Sequence, residues 1–328
     1  MKIFYSYIPL KTNVEDTVFD AICMKLSSTI LRKLGHKVGI YSNKTFIDFL
    51  KTNSIELDFY ENIENEINPF ISKNLFAVGK LYTNSIQNEP FIQIDYDTFF
   101  FDDFQFDKFD SKFLFAFKET VSGWTNSENV LNWKNVYLDF YVHLYENFNL
   151  PFIQKCQPLL AFNCNVVGGT EYKVLADSYA DLFEFTKKHK KLADNFSGNP
   201  MAVLEQLLII GQLSDRGFDT NKDVSICSAK NMVDFIDIGN NTTKLIIRDN
   251  EYLLKTDKIQ TDSPKSMMKM VDYNFEGYLH LLGARNLITI KHMLYSKLKA
   301  IDSDFVKNFE TNFGKNYKWQ TDIYKTLL

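Results

Sequence analysis

The sequence predicts an α/β fold: a Rossmann-related mixed sheet flanked by helices, with a C-terminal extension. Three observations predict it. Short apolar runs alternate along the chain with longer stretches of helical spacing, the pattern of a parallel or mixed sheet covered on both faces. The 328 residues are 45% apolar, enough to bury a substantial core. Phe and Tyr number 30 and 17 against 13 Gly and 7 Pro, the composition of an ordered, aromatic-rich interior.

The elements follow in order. Residues 2–8 open the chain as a strand, and residues 17–34 carry helical spacing that Gly35 can stop. Residues 36–41 form the second strand, 46–50 a helix, 56–60 an extended segment and 74–84 a helix. A polar turn then leads into the strand 91–94. Residues 113–118 read as a strand and 131–147 as a helix. The apolar segment 158–167 is closed by Gly168-Gly169, after which Thr170 can cap a helix from 171 toward 188. Asn199-Pro200 starts a helix over 201–213. Short strands at 233–237, 243–247 and 251–254 precede a helix at 286–298. One principal domain over 1–290 with a helical extension over 291–328, anchored by aromatics such as Trp319 and Tyr324, is the resulting organisation.

A formal charge of −4 argues against nonspecific attraction to nucleic acid. Cys23, Cys156, Cys164 and Cys227 lie far apart and read as reduced, buried thiols, which suits the cytoplasm. The sequence shows no signal peptide and no apolar window of bilayer length, so the expected location is cytoplasmic, with peripheral association at the inner face of a membrane left open.

The segment Pro90-Phe91-Ile92-Gln93-Ile94-Asp95-Tyr96-Asp97 carries the strongest chemical signal. It sets two carboxylates two residues apart, on one side of an extended chain, at the end of an apolar run. Such a pair is either a solvated strand end or a site for Mg2+ or Mn2+ carrying phosphate oxygens. Lys80, on the preceding helix, is either an exposed helix lysine or a contact to a diphosphate. Asn163 and Asn165 share one side of an extended segment and can bind sugar hydroxyls, while Gly168 and Gly169 permit close backbone approach or a sharp turn. Glu205-Gln206 interrupts an apolar helix. In His280-Leu281-Leu282-Gly283-Ala284-Arg285, the histidine is a metal ligand or a structural residue, Gly283 admits phosphate and Arg285 offers a cationic fork. Tyr41 stacks on a base or packs in the core.

Taken in order, these landmarks resemble nucleotide-sugar glycosyltransferases of the GT-A type, of the glycogenin and lipopolysaccharide galactosyltransferase kind. They are more similar still to an uncharacterised bacterial group of glycosyltransferase-like proteins. The resemblance rests on Phe4-Tyr5-Ser6-Tyr7, on Pro90 through Asp97, on Asn163 through Gly169, on Glu205-Gln206 and on His280 through Gly283, and spans about residues 1–290. It implies transfer of a sugar, with retention, from a nucleotide diphosphate donor (a UDP-sugar) to a glycan or other hydroxyl acceptor. Asp97 and His280 would bind Mn2+ or Mg2+ directly, with Asp95 nearer the nucleotide. Asn163, Asn165 and Glu205 would orient the donor sugar, and Gln206 would sit beside its reacting face. Two departures stand out: Asn165 replaces a small residue, and the Lys-Pro-Trp usual after the His–Gly element is absent. They motivate the alternative of a noncatalytic carbohydrate-binding or scaffold protein that keeps the fold.

Overall fold

The computed structural model describes residues 1–9, 14–72, 75, 77–100, 104–120, 131–156, 160–196, 200–227, 232–237, 242–249, 252–260, 278–280 and 288–313. Its centre is a seven-stranded mixed sheet. In chain order the strands are β1 (Lys2–Ser6), β2 (Lys37–Ser42), β3 (Phe59–Asn62), β4 (Phe91–Ile94), β5 (Thr98–Phe100), β6 (Phe113–Thr120), β7 (Leu160–Gly169) and β8 (Val224–Ile226). All but β5 join the central sheet, in the order β3-β2-β1-β4-β7-β6-β8. β1 through β4 run parallel, β7 runs against both its neighbours, and β8 is parallel to β6.

Three further strands, β9 (Met232–Asp237), β10 (Thr242–Asp249) and β11 (Tyr252–Gln260), make an antiparallel meander. The last, β12 (Tyr278–His280), pairs antiparallel with β5. β5 and β12 are three residues each, too short to leave a periodicity in sequence. That pairing, invisible in the sequence, decides which residues meet at the site.

Each face of the sheet is covered by helices that bury one parity of the inner strands, whereas the outer strands β3 and β8 hold no fully buried residue. Ile3, Tyr5, Val38, Ile40, Ile92 and Ile94 pack under the Val14–Lys33 helix, with Leu294, Leu298, Phe305 and Phe309 of the C-terminal helices Ile288–Ile301 and Ser303–Phe313 in the same apolar cluster. Phe4, Tyr41, Phe91, Phe115 and Val167 pack under the Val78–Ser85, Tyr172–Lys188 and Leu208–Asp215 helices. Gly35, at φ +83°, ends the first helix as expected, with its N–H on the Arg32 carbonyl and that of His36 on the Leu31 carbonyl. Among the described residues no helix is long and apolar enough to cross a membrane.

Two local expectations need correction. Thr170 does not cap the helix after it: its hydroxyl donates to the Ser111 carbonyl, and Glu171 precedes the Tyr172–Lys188 helix without a side-chain cap. The helix expected over 201–213 is also not regular. Pro200–Ala202 and Leu208–Asp215 are α-helical, but Val203–Leu207 between them is a π segment, closed by the Leu208 N–H on the Val203 carbonyl. That i→i+5 bond encloses one residue more than an α-helical one in the stretch that carries Glu205, and π segments cluster at functional sites. Two thiols cap the carbonyls in this stretch, Cys164 on Glu205 at 3.3 Å and Cys156 on Leu207 at 3.5 Å.

Candidate functional site

In a sheet ordered 3-2-1-4, the strands stay parallel but the order of connection reverses between β1 and β4, the switch point beyond whose carboxyl ends open α/β sheets bind ligands. Asp95, Tyr96 and Asp97 follow β4 at this edge. The turn they form is pinned twice: the Asp95 N–H donates to the Asn165 carbonyl at 2.7 Å, and the Thr98 N–H donates to the Asp95 carbonyl at 3.1 Å. Tyr7, after β1, meets Tyr96 across the switch point, ring centroids 4.7 Å apart and interplanar angle 67°.

Three charges from distant parts of the chain converge here. The Lys80 ammonium lies 2.7 and 2.9 Å from the two Asp95 oxygens and 2.9 Å from Glu205 Oε1. Lys80 and Glu205 expose only 14% and 6% of their side chains, so Lys80 is not the exposed helix lysine of the bland expectation. Burial pulls the Lys80 ammonium down, but Asp95 and Glu205 outweigh it and hold the group above its ordinary value. Burial pushes the Glu205 carboxyl up to about 7, against the opposing pull of Lys80. Gln93 donates through Nε2 to Asp95 Oδ1 at 3.2 Å; its buried Oε1 has no partner among the described residues. The signal for Gln93 was its position as the one amide in a fully buried strand.

A pH dependence follows. Glu205 is raised in the folded protein above its ordinary value of 4.5, so the folded state holds a proton that the unfolded chain has released. The stability this contributes is complete below about pH 4.5 and is lost as pH rises through about 7, a loss of about 3 kcal/mol. Urea titrations at pH 5 and pH 8 should show the midpoint falling for the parent and flattening in Glu205→Gln.

Asn163 and Asn165 are buried on β7, and the Asn165 N–H donates to Asn163 Oδ1 at 3.0 Å. The β6–β7 register shifts between Phe115 and Phe117, so β7 bulges beside Asp95. Gly168 and Gly169 lie at the other end of β4, paired with Ile92 and Phe91, and meet backbone rather than the acidic turn. A Cβ on Gly168 would stand 2.0 Å from the Phe91 carbonyl oxygen, and one on Gly169 2.2 Å from that of Lys112. Both make the close approach, and Gly169, at φ +134°, also takes the positive φ of the sharp turn. Tyr41 is likewise the packing alternative: Phe4 and Phe59 flank its ring, and Lys2 and Gln87 donate to its hydroxyl.

Asp97 is buried, 5% exposed, and Gln206 is half-buried beside Glu205. His280 is paired in register with Thr98, one residue beyond Asp97. Gly283 and Arg285 lie outside the described residues. Among the described residues no three His, Cys, Asp or Glu side chains gather into a metal cluster. All four cysteines are buried and none forms a disulfide.

The sequence profile of a family of unknown function, DUF6734, matches residues 11–281. No curated protein matches the chain. Among solved structures, a galactosyltransferase, LgtC, in complex with donor and acceptor sugar analogues shares 8% identity over 92% of this chain and 96% of its own, with a TM-score of 0.49. Mouse xyloside xylosyltransferase 1 in its apo form shares 10% identity over 72% of this chain and 87% of its own, with a TM-score of 0.38.

Proposed function

The chain belongs to the DUF6734 family of unknown function, and we propose that it is a nucleotide-sugar glycosyltransferase of the GT-A type, dependent on a divalent cation. The observation that carries the reading is the β5–β12 register. It pairs His280 with Thr98, beside an acidic turn far away in sequence, at the sheet edge where open α/β folds bind ligands.

The donor set fits a hard cation: carboxylate oxygens from Asp95 and Asp97 and one imidazole suit Mn2+ or Mg2+. Asp97 and His280 are the direct ligands in this reading, and Asp95, already clasped by Lys80, faces the nucleotide. When bound, the cation supplies positive charge against the departing diphosphate. Lys80 adds fixed charge beside Asp95, and Arg285 is the second cation that this reading calls on. Asn163 and Asn165 present amides to the donor sugar, Glu205 holds Lys80 in place, and Gln206 stands at the reacting face. Tyr7 and Tyr96 offer aromatic surface for the base, in preference to the enclosed Tyr41. The donor is a UDP-sugar, and retention of configuration needs no separate general base if the leaving phosphate takes the acceptor proton.

One observation favours a rival. The Lys80 ammonium is already paired with both Asp95 and Glu205, as it would be in a carbohydrate-binding or scaffold protein that keeps the fold without catalysis. Calorimetry with UDP, with and without manganese, tests the first reading. Binding should require manganese, and Asp97→Ala should weaken it at least roughly 100-fold while circular dichroism stays native. No metal-dependent binding to any common nucleoside diphosphate would reject the mechanism. Donor hydrolysis or sugar transfer above the Asp97→Ala background would reject the rival.

A further inference from the structure

The Val14–Lys33 helix contains three adjacent hydroxyl residues that behave differently. Helical Ser and Thr ordinarily return their hydrogen bond to their own helix. Ser28 and Thr29 do so, both donating to the Lys25 carbonyl, at 3.2 and 2.7 Å. Ser27 does not. Fully buried, it donates at 2.8 Å to the carbonyl of Thr98.

Thr98 is the last residue of the acidic turn and the first of β5. Its N–H closes the turn on Asp95, and in register it faces His280. One buried hydroxyl therefore grips the residue at which the aspartates and β12 are joined. The same helix is tied to the C-terminal helices. Lys25 binds Asp302 at 3.0 Å and lies 4.7 Å from the centre of the Phe305 ring. The Val14–Lys33 helix packs against both β5 and Ile288–Ile301, and so links the acidic turn to the helices that follow β12.

We propose that Ser27 is a positioning residue. Its bond to the Thr98 carbonyl holds the Asp95–Thr98 turn and the β5–β12 register, so that the ligands of a divalent cation carrying a nucleoside diphosphate are arranged before it arrives. The purpose assigned to Ser27 rests on the function proposed above; the mechanical part does not. Without the hydroxyl, the Thr98 carbonyl loses a buried partner and the turn gains freedom that ligand binding must then remove.

The test compares Ser27→Ala with Ser28→Ala, the same chemical change at a neighbouring buried serine whose bond stays inside the helix. Both should lower the melting temperature by similar amounts. Only Ser27→Ala should weaken manganese-dependent UDP binding, by roughly ten-fold, and only it should speed amide hydrogen exchange over residues 98–100 and 278–280. Equal UDP affinities and equal exchange in the two variants would overturn the proposal. A parent protein that binds no UDP with manganese overturns the proposed function instead. The exchange comparison then decides the mechanical claim alone: selective loosening in Ser27→Ala upholds it and equal exchange rejects it. Should Ser27→Ala fail to fold, Ser27→Cys, which keeps a weaker donor of similar size, should bind UDP more weakly and exchange faster over residues 98–100 and 278–280 than both the parent and Ser28→Ala; parental values would overturn the proposal.

Discussion

Lys80→Ala should cost about 3–5 kcal/mol of folding stability at pH 8, the penalty for leaving buried charge without its partner. Lys80 lies within 2.9 Å of both Asp95 and Glu205, and all three side chains are largely or partly shielded from water. Removing the ammonium leaves two carboxylates facing one another at the low-dielectric edge of the sheet. The damage should shrink at pH 5, because burial already disposes Glu205 to hold a proton and a protonated Glu205 can donate where Lys80 did. Lys80→Ala combined with Glu205→Gln should recover part of the loss at pH 8. Urea denaturation of the four proteins at both pH values measures this. Equal destabilisation at pH 5 and 8, with no recovery in the double variant, would show that Lys80 acts through packing alone.

Gly168→Ala should be at least as severe, with a loss of about 3 kcal/mol or more, or failure to accumulate soluble protein. The obstacle is backbone rather than a movable side chain: the new Cβ would sit 2.0 Å from the Phe91 carbonyl oxygen and 2.7 Å from the Ile92 Cα. β4 and β7 would have to part in the middle of the sheet. The same substitution at Gly35 meets no atom within 4 Å and carries only the strain of a positive φ, so its cost should be smaller, near 1 kcal/mol. Thermal melts of the two variants give the comparison. Comparable losses would mean that the close approach at Gly168 is readily relieved.

The central strands were legible as short apolar runs because both of their faces are buried, and the helices were legible by their apolar spacing. The strand at 91–94 and the helix at 131–147 coincide with the observed elements, and the first two strands differ only at their ends. What sequence could not show were features made by contact between distant segments. Lys80 looks like any helix lysine until Asp95 and Glu205 are brought to it. Gly168-Gly169 has the composition of a ligand loop and is instead a place where two backbones nearly touch. The π turn at Val203–Leu207 keeps apolar spacing on either side, so periodicity reads through it. Ser27 is one of three adjacent hydroxyl residues, and only its partner distinguishes it.

The packing of the Ile288–Ile301 helix on the Val14–Lys33 helix has a consequence for synthesis. Translation is vectorial, so the first helix leaves the ribosome long before the segment that covers its outer side. At about 5–20 residues per second, that side stays open for something like 15–60 s, with its apolar residues available to chaperones or to other nascent chains. Over most of that interval the acidic turn also lacks β12 and so has no opposite strand. The carboxylates are thus made early and completed late, and a chain stalled before residue 278 would carry Asp95, Asp97 and Glu205 with the pairing at Thr98 still to form.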